Sequence, residues 1–248
     1  MSASGTNGVQ DVQFSMIETV RTIIRVMPRG GSFPSLVETM SGRRFIMKLS
    51  GVGQGTSGLR TEFIATRLAD AFGLRVPRVA PLLLTKTMPW QTGTDEFYEA
   101  VQRSAGWNLG VEFIEGARDI TANSLADIPA DFLDRLALAD SLVQNVDRTA
   151  ENPNILRDRS GVYWAIDFGA SLFLGRFTSL GSLMKFELPN NHLLADRQVT
   201  HRRLENPHMP LREIVCDLPG AWIDTVSGGR QVLLETLQNL IAKWMEDA

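Results

Sequence analysis

Cysteine is almost missing from the chain. The single thiol, Cys216, permits no internal disulfide and no thiolate metal site, and the expectation for it is a partly buried structural residue. Histidine is nearly as scarce. His192, His201 and His208 stand nine and seven residues apart, a poor spacing for ligands on one helix, so structural or surface roles are expected. There is no long apolar run: the longest, "VAPLLL" at Val79 to Leu84, is far too short to span a bilayer. The N-terminal "MSASGTNGVQ" lacks the basic and apolar regions of a secretory signal. Positive charge is not in excess either, with 25 basic against 28 acidic residues, a net charge of −3 and a pI near 5.7. That balance excludes a whole-chain basic footprint. The one basic stretch, "HRRLENPHMPLR", has no interleaved aromatics and reads as a solvated face. These absences lead to the expectation of a cytoplasmic protein with no membrane span and no direct nucleic-acid partner.

What is present is an ordinary globular composition, 44% hydrophobic over 248 residues, enough for one large domain or two lobes sharing an interface. The first half is strand-rich. "SMIETVRTIIRVM" reads as a strand, and "PSLVETMSGRRFIMKL" as a hairpin turning at Ser41-Gly42. "RTEFIATRLADAFGL" has helical spacing and ends at Gly73 as a C-cap. "VPRVAPLLLT" reads as a strand pair and "NLGVEFIEG" as a strand with a terminal turn. From about Asp119 helices dominate. "PADFLDRLALADSLVQN" is a largely buried helix, and "GRQVLLETLQNLIAKWMEDA" is amphipathic, with Val232, Leu233, Leu237, Leu240, Ile241 and Trp244 on one face. The pattern predicts an α+β fold: a flexible stretch at 1–12, a β-rich part at 13–115 and a helical part at 116–248.

Between these parts lies "NVDRTAENPNIL", followed by "IDFG" at Ile166 to Gly169. Phosphoryl transfer needs a cover for the phosphates, a cation on them, metal ligands and a carboxylate facing the attacking hydroxyl. Asp147 supplies the carboxylate and Asn152, five residues on, an amide oxygen for Mg²⁺. Asp167 brings an anionic metal ligand, and hard oxygens shared with substrate phosphates suit Mg²⁺. Lys48, in the apolar strand "FIMKL", is the candidate cation, with Glu62 at the start of the next helix as its partner; alternation leaves open which face Lys48 takes. Two glycine-rich stretches are candidate covers, "RGGS" at Arg29 to Ser32 and "SGVGQGTSG" at Ser50 to Gly58. The second lacks the Gly-Lys-[Ser/Thr] ending of a Walker loop, which excludes that class.

Taken in chain order, "GGS", "FIMK", the helix glutamate, "VEFIEG", "NVDRTAENPNIL" and "AIDFG" resemble the HipA-like branch of the protein-kinase-like fold, over about residues 29 to 170. The resemblance implies a bilobal fold with a β-rich N-lobe and a helical C-lobe. It implies an ATP- and Mg²⁺-dependent kinase acting on a serine or threonine hydroxyl of a protein. Asp147 would be the catalytic aspartate, Asn152 and Asp167 the Mg²⁺ ligands, Lys48 the phosphate-contacting lysine and Glu62 its partner. The backbone of Glu112 and Ile114 would meet the adenine edge, and Gly30, Gly31 and Ser32 would cover the phosphates. Ser32 would also be a candidate for autophosphorylation, and Thr178, Ser179 and Ser182 fall in the activation-segment region. Thr149 stands where the family often has histidine, and the chain has no room for the extra N-terminal subdomain of longer members. The alternatives are a phosphotransferase acting on a lipid or small molecule, and a catalytically silent binding module.

Overall fold

The structure is a computed structural model that describes residues 17–27, 33–86, 93–174, 187–197 and 207–246. Its content is mixed α and β. Strands β1 (Glu18–Val26), β2 (Ser35–Thr39) and β3 (Arg44–Lys48) form an antiparallel meander. Helix α1 (Gly55–Ala71) follows, then β4 (Val79–Leu84), α2 (Asp95–Arg103) and β5 (Gly106–Glu112). The five strands close a barrel in the order β1-β2-β3-β5-β4, sealed by a short parallel pairing of β1 with β4. Alternation along β3 puts Phe45 and Met47 inside, packed with Val37, Leu82 and Phe97 of α2, and turns Lys48 to the outer face.

The second part begins with β6 (Arg118–Asp119), which pairs with the hairpin β7 (Ile155–Arg157) and β8 (Tyr163–Ala165). Helix α3 (Ala130–Val143) precedes that hairpin. Helices α4 (Leu211–Cys216), α5 (Gly220–Ile223) and α6 (Gly229–Glu246) complete the chain. The larger core joins α1, through Phe63, Ile64 and Leu68, to Leu136 and Leu142 of α3 and to Leu237 and Leu240 of α6. Thus α1 has two working sides. One packs into this helical core, and the other faces the barrel's outer wall where Lys48 emerges.

Several sequence expectations need correction. The predicted strand pair in "VPRVAPLLLT" is the single strand β4, which begins at Val79, after Pro77, a residue with no amide to donate to a ladder. Helix α1 starts at Gly55, so Glu62 lies in mid-helix rather than at the start. Half of the second glycine-rich stretch is therefore helical. The rest is tied down, since Asn108 Oδ1 accepts from Ser50 N–H at 2.8 Å and Ser104 Oγ accepts from Gly51 N–H at 2.9 Å. Helix α2 was not anticipated. It is polar apart from Phe97, Ala100 and Val101, and it rests on a Thr94 cap that accepts from Phe97 N–H at 3.3 Å. Cys216 is exposed, at the solvent side of α4, and Val232 of α6 also faces out. Gly73 does end α1, at a φ of +80°.

Candidate active site

Lys48 leaves the barrel wall and meets two carboxylates. Its Nζ donates to Glu62 Oε1 at 2.6 Å and to Asp167 Oδ1 at 2.9 Å. The three come from β3, mid-α1 and the turn after β8, so separate parts of the chain converge on one ammonium group. Accessibility differs sharply within the trio: the side chains are 20%, 4% and 44% exposed for Lys48, Glu62 and Asp167. Glu62 is the buried anchor and Asp167 the open member.

Electrostatics follow from that placement. Burial pulls Lys48 down, but the charges of Glu62 and Asp167 outweigh it and hold the ammonium above the ordinary lysine range. Burial pushes the Asp167 carboxyl up, yet Lys48, the Gly169 amide and Arg148 together hold it below the usual carboxylate value. Burial pushes Glu62 up, Lys48 pulls it back, Asp167 adds to the rise, and the net direction is up. The cluster therefore holds a protonated lysine and an ionised Asp167, with Glu62 the member nearest to accepting a proton.

Asp167 sits in the left-handed region at a φ of +59°, which disfavours a residue with a Cβ by about 1–2 kcal/mol. Its neighbours hold it there. Ile166 N–H donates to Asn154 O at 2.9 Å, and Phe168 is fully buried with Arg148 stacked 5.2 Å from its ring centre. Gly169 completes the turn. A Cβ there would lie 3.3 Å from Glu62 Oε2 and 3.4 Å from Asp167 Oδ1, crowding both carboxylates.

Asp147 and Asn152 lie on the loop between α3 and β7, and both are exposed. The loop is tight: Thr149 N–H donates to Asn152 O at 3.2 Å, and Asn152 N–H to Thr149 Oγ1 at 3.1 Å. Among the described residues no hydrogen bond joins Asp147 or Asn152 to Asp167. The link between loop and turn runs underneath, through Arg148. That side chain is wholly buried and binds Asp140 through Nε at 2.7 Å and Nη2 at 3.2 Å. Its Nη1 also donates to Pro153 O and Asn154 O, each at 2.8 Å, and both terminal nitrogens reach Ile166 O at 3.4 Å. Asn145 Nδ2 donates to Asp140 Oδ1 at 3.0 Å. His192 Nε2 lies 3.5 Å from Asp140 Oδ2, while its Nδ1 accepts from Leu194 N–H at 3.1 Å, so the ring proton sits on Nε2. Burial pushes Asp140 up, but Arg148, His192 and Asn145 outweigh it and hold the carboxyl below its ordinary value.

Sequence reasoning missed this support. The available signal was Asp140 itself: an acid on the stripe of Leu136 and Val143 in a helix buried over much of its surface must find a cation. Glu112 and Ile114 stand at the end of β5. Glu112 N–H donates to Arg78 O at 2.8 Å and Phe113 N–H to Arg44 O at 3.0 Å, on opposite edges. The Glu112 carbonyl and the Ile114 amide have no backbone partner among the described residues. Gly30, Gly31, Ser32, Thr178, Ser179 and Ser182 lie outside the described residues.

The family model described as HipA-like kinase matches residues 20–247. The chain belongs to that family. No curated protein matches it significantly. Among solved structures, the crystal structure of the Helicobacter pylori proinflammatory kinase CtkA is similar over 90% of this chain and 93% of its own, with a TM-score of 0.55. At 13% identity that similarity is one of fold, and it places this HipA-like kinase's mixed α and β architecture beside that of a solved kinase. No helix among the described residues is long and apolar enough to cross a membrane.

Proposed function

We propose that this HipA-like kinase uses ATP and Mg²⁺ to phosphorylate a serine or threonine hydroxyl of a protein. The observation that carries the reading is Lys48 held between Glu62 at 2.6 Å and Asp167 at 2.9 Å, a cation fixed beside an open carboxylate. Residues 13–115 would form one lobe and 116–248 the other, with the nucleotide between them. The Glu112 carbonyl and Ile114 amide would take the adenine edge, and Gly30, Gly31 and Ser32 would cover the phosphates.

Phosphoryl transfer asks a protein mainly for positioning and charge. Lys48 would neutralise phosphate oxygens while Glu62 keeps its Nζ in place. Asp147, exposed on a loop that Arg148 locks from beneath, would orient the acceptor hydroxyl and take its proton as the new O–P bond forms and the bond to ADP breaks. Asn152 and Asp167 would hold Mg²⁺. The donors fit that ion: one amide oxygen and one ionised carboxylate leave room for waters and phosphate oxygens. Among the described residues no group of three or more His, Cys, Asp or Glu side chains could cage a metal, which also suits an ion shared with a nucleotide. When bound, Mg²⁺ supplies charge neutralisation to the phosphates.

The test is incubation with γ-labelled ATP and Mg²⁺, wild type beside Asp147→Ala, followed by mass mapping. Phosphate on serine or threonine with wild type alone is the expected result. Equal labelling by Asp147→Ala overturns the assignment of the base.

A further inference from the structure

Asp147 is aimed by its main chain alone: its side chain is exposed and makes no hydrogen bond among the described residues. Part of what fixes that main chain comes from far along the sequence. Leu193 N–H donates to the carbonyl of Arg148, the residue after Asp147, at 2.8 Å. Both peptide units flanking Leu193 are held. Ala195 N–H donates to His192 O at 3.1 Å on one side, and Leu194 N–H donates to His192 Nδ1 at 3.1 Å on the other. A fixed turn therefore presents the Leu193 amide to the Asp147 loop.

That turn is anchored along α3. The His192 side chain is fully buried, with Nε2 3.5 Å from Asp140 Oδ2. Burying an imidazole is unfavourable unless its polar atoms are engaged, and Nδ1 is engaged by the turn itself. Leu194 sinks into the larger core. Arg197 pairs with Asp134 and donates to Ala130 O at 3.3 Å, toward the start of the helix. Among the described residues no hydrogen bond joins His192 to Lys48, Glu62 or Asp167.

We propose that His192 is a positioning residue for phosphoryl transfer, a role that rests on the kinase reading above: its turn fixes the Arg148 carbonyl and with it the direction of Asp147. A base must lie within about 3 Å of the group whose proton it takes, and a misplacement of about 1 Å can cost about a hundredfold in rate. The test compares kcat at saturating Mg·ATP, on a degenerate serine/threonine peptide library, with Mg·ATP affinity by calorimetry. His192→Phe keeps a buried ring but loses the Nδ1 acceptor; kcat should fall about tenfold or more while affinity stays within about twofold of wild type. His192→Asn keeps an acceptor at the Nδ1 position and should recover much of that rate. Arg197→Gln, at the partly exposed end of the same stretch, should show the same split at about threefold, and it decides the matter where His192→Phe does not fold. Hydrogen exchange needs no turnover: the amides of 147–152 should exchange about tenfold faster in His192→Phe, with α1 as protected as in wild type. Loss of kcat and affinity together, His192→Asn no better than His192→Phe, or wild-type kcat in the Phe and Gln variants overturns the proposal. A wild type that transfers no phosphate removes the kinase reading, while faster exchange across 147–152 would still establish the coupling and unchanged exchange would overturn it.

Discussion

Two ionic clusters lie close to each other in this molecule and are built on opposite plans. Asp140 and Arg148 are both sealed from solvent, share two hydrogen bonds and spend their remaining polar atoms on Asn145 and backbone carbonyls. One positive and one negative charge cancel. Lys48, Glu62 and Asp167 carry two acids to one base, and one of those acids is 44% exposed. Burial shuts the closed cluster off from any ligand, whereas the open one has spare negative charge and an accessible oxygen. The difference teaches that burial and charge balance separate a strut from a site even when both contain an acid and a base. The strut holds the Asp147 loop and the Asp167 turn in place, and the open cluster is where a metal and phosphates would be met.

The largest effect expected is on the strut. Arg148→Met leaves the Asp140 carboxylate buried without its cation, and unfolding free energy from denaturant titration should fall by about 3–5 kcal/mol. An unchanged midpoint would show that the closed cluster supports nothing. The matching substitution in the open cluster, Lys48→Met, should act in the reverse way. Glu62 is already pushed up by burial and can take a proton, so stability should fall by only about 1 kcal/mol while ATP turnover drops roughly a hundredfold. A stability loss as large as that of Arg148→Met would erase the distinction.

A smaller effect concerns pH. The folded Asp140 carboxyl is held below its ordinary value. Its stabilisation is therefore complete above the unfolded value of about 3.9 and is lost as pH falls through the depressed folded value. Asp167 has the same sign and Glu62 the opposite one. Unfolding free energy measured below pH 4 should decline less steeply in Asp140→Asn, by up to about 1.4 kcal/mol per pH unit for one proton. Identical slopes would sharpen attention on Asp167 instead.

The open cluster was the legible one. Lys48, Glu62 and Asp167 sit in motifs whose order along the chain suggested that they meet, although alternation alone left the face of Lys48 undecided. The barrel settles that face, because Phe45 and Met47 fill its interior. The closed cluster was far harder to read. Arg148 stands inside the quoted motif, but its partners lie on α3 and on the distant 187–197 stretch, and pairing between remote residues leaves no periodic trace. Helix α2 was obscured by its polar surface, and the start of α1 by glycines that ordinarily signal a loop. In each case tertiary packing outweighed local propensity.

Asp167, the open carboxylate beside Lys48, would be the metal-facing member of the kinase site. Calorimetric titration of ATP with and without Mg²⁺, in wild type and Asp167→Asn, tests it most directly. Mg²⁺ should tighten ATP binding in the wild type, and this gain should fall at least tenfold in the variant, with the fold intact by thermal unfolding. The same Mg²⁺-dependent gain in both proteins would contradict it.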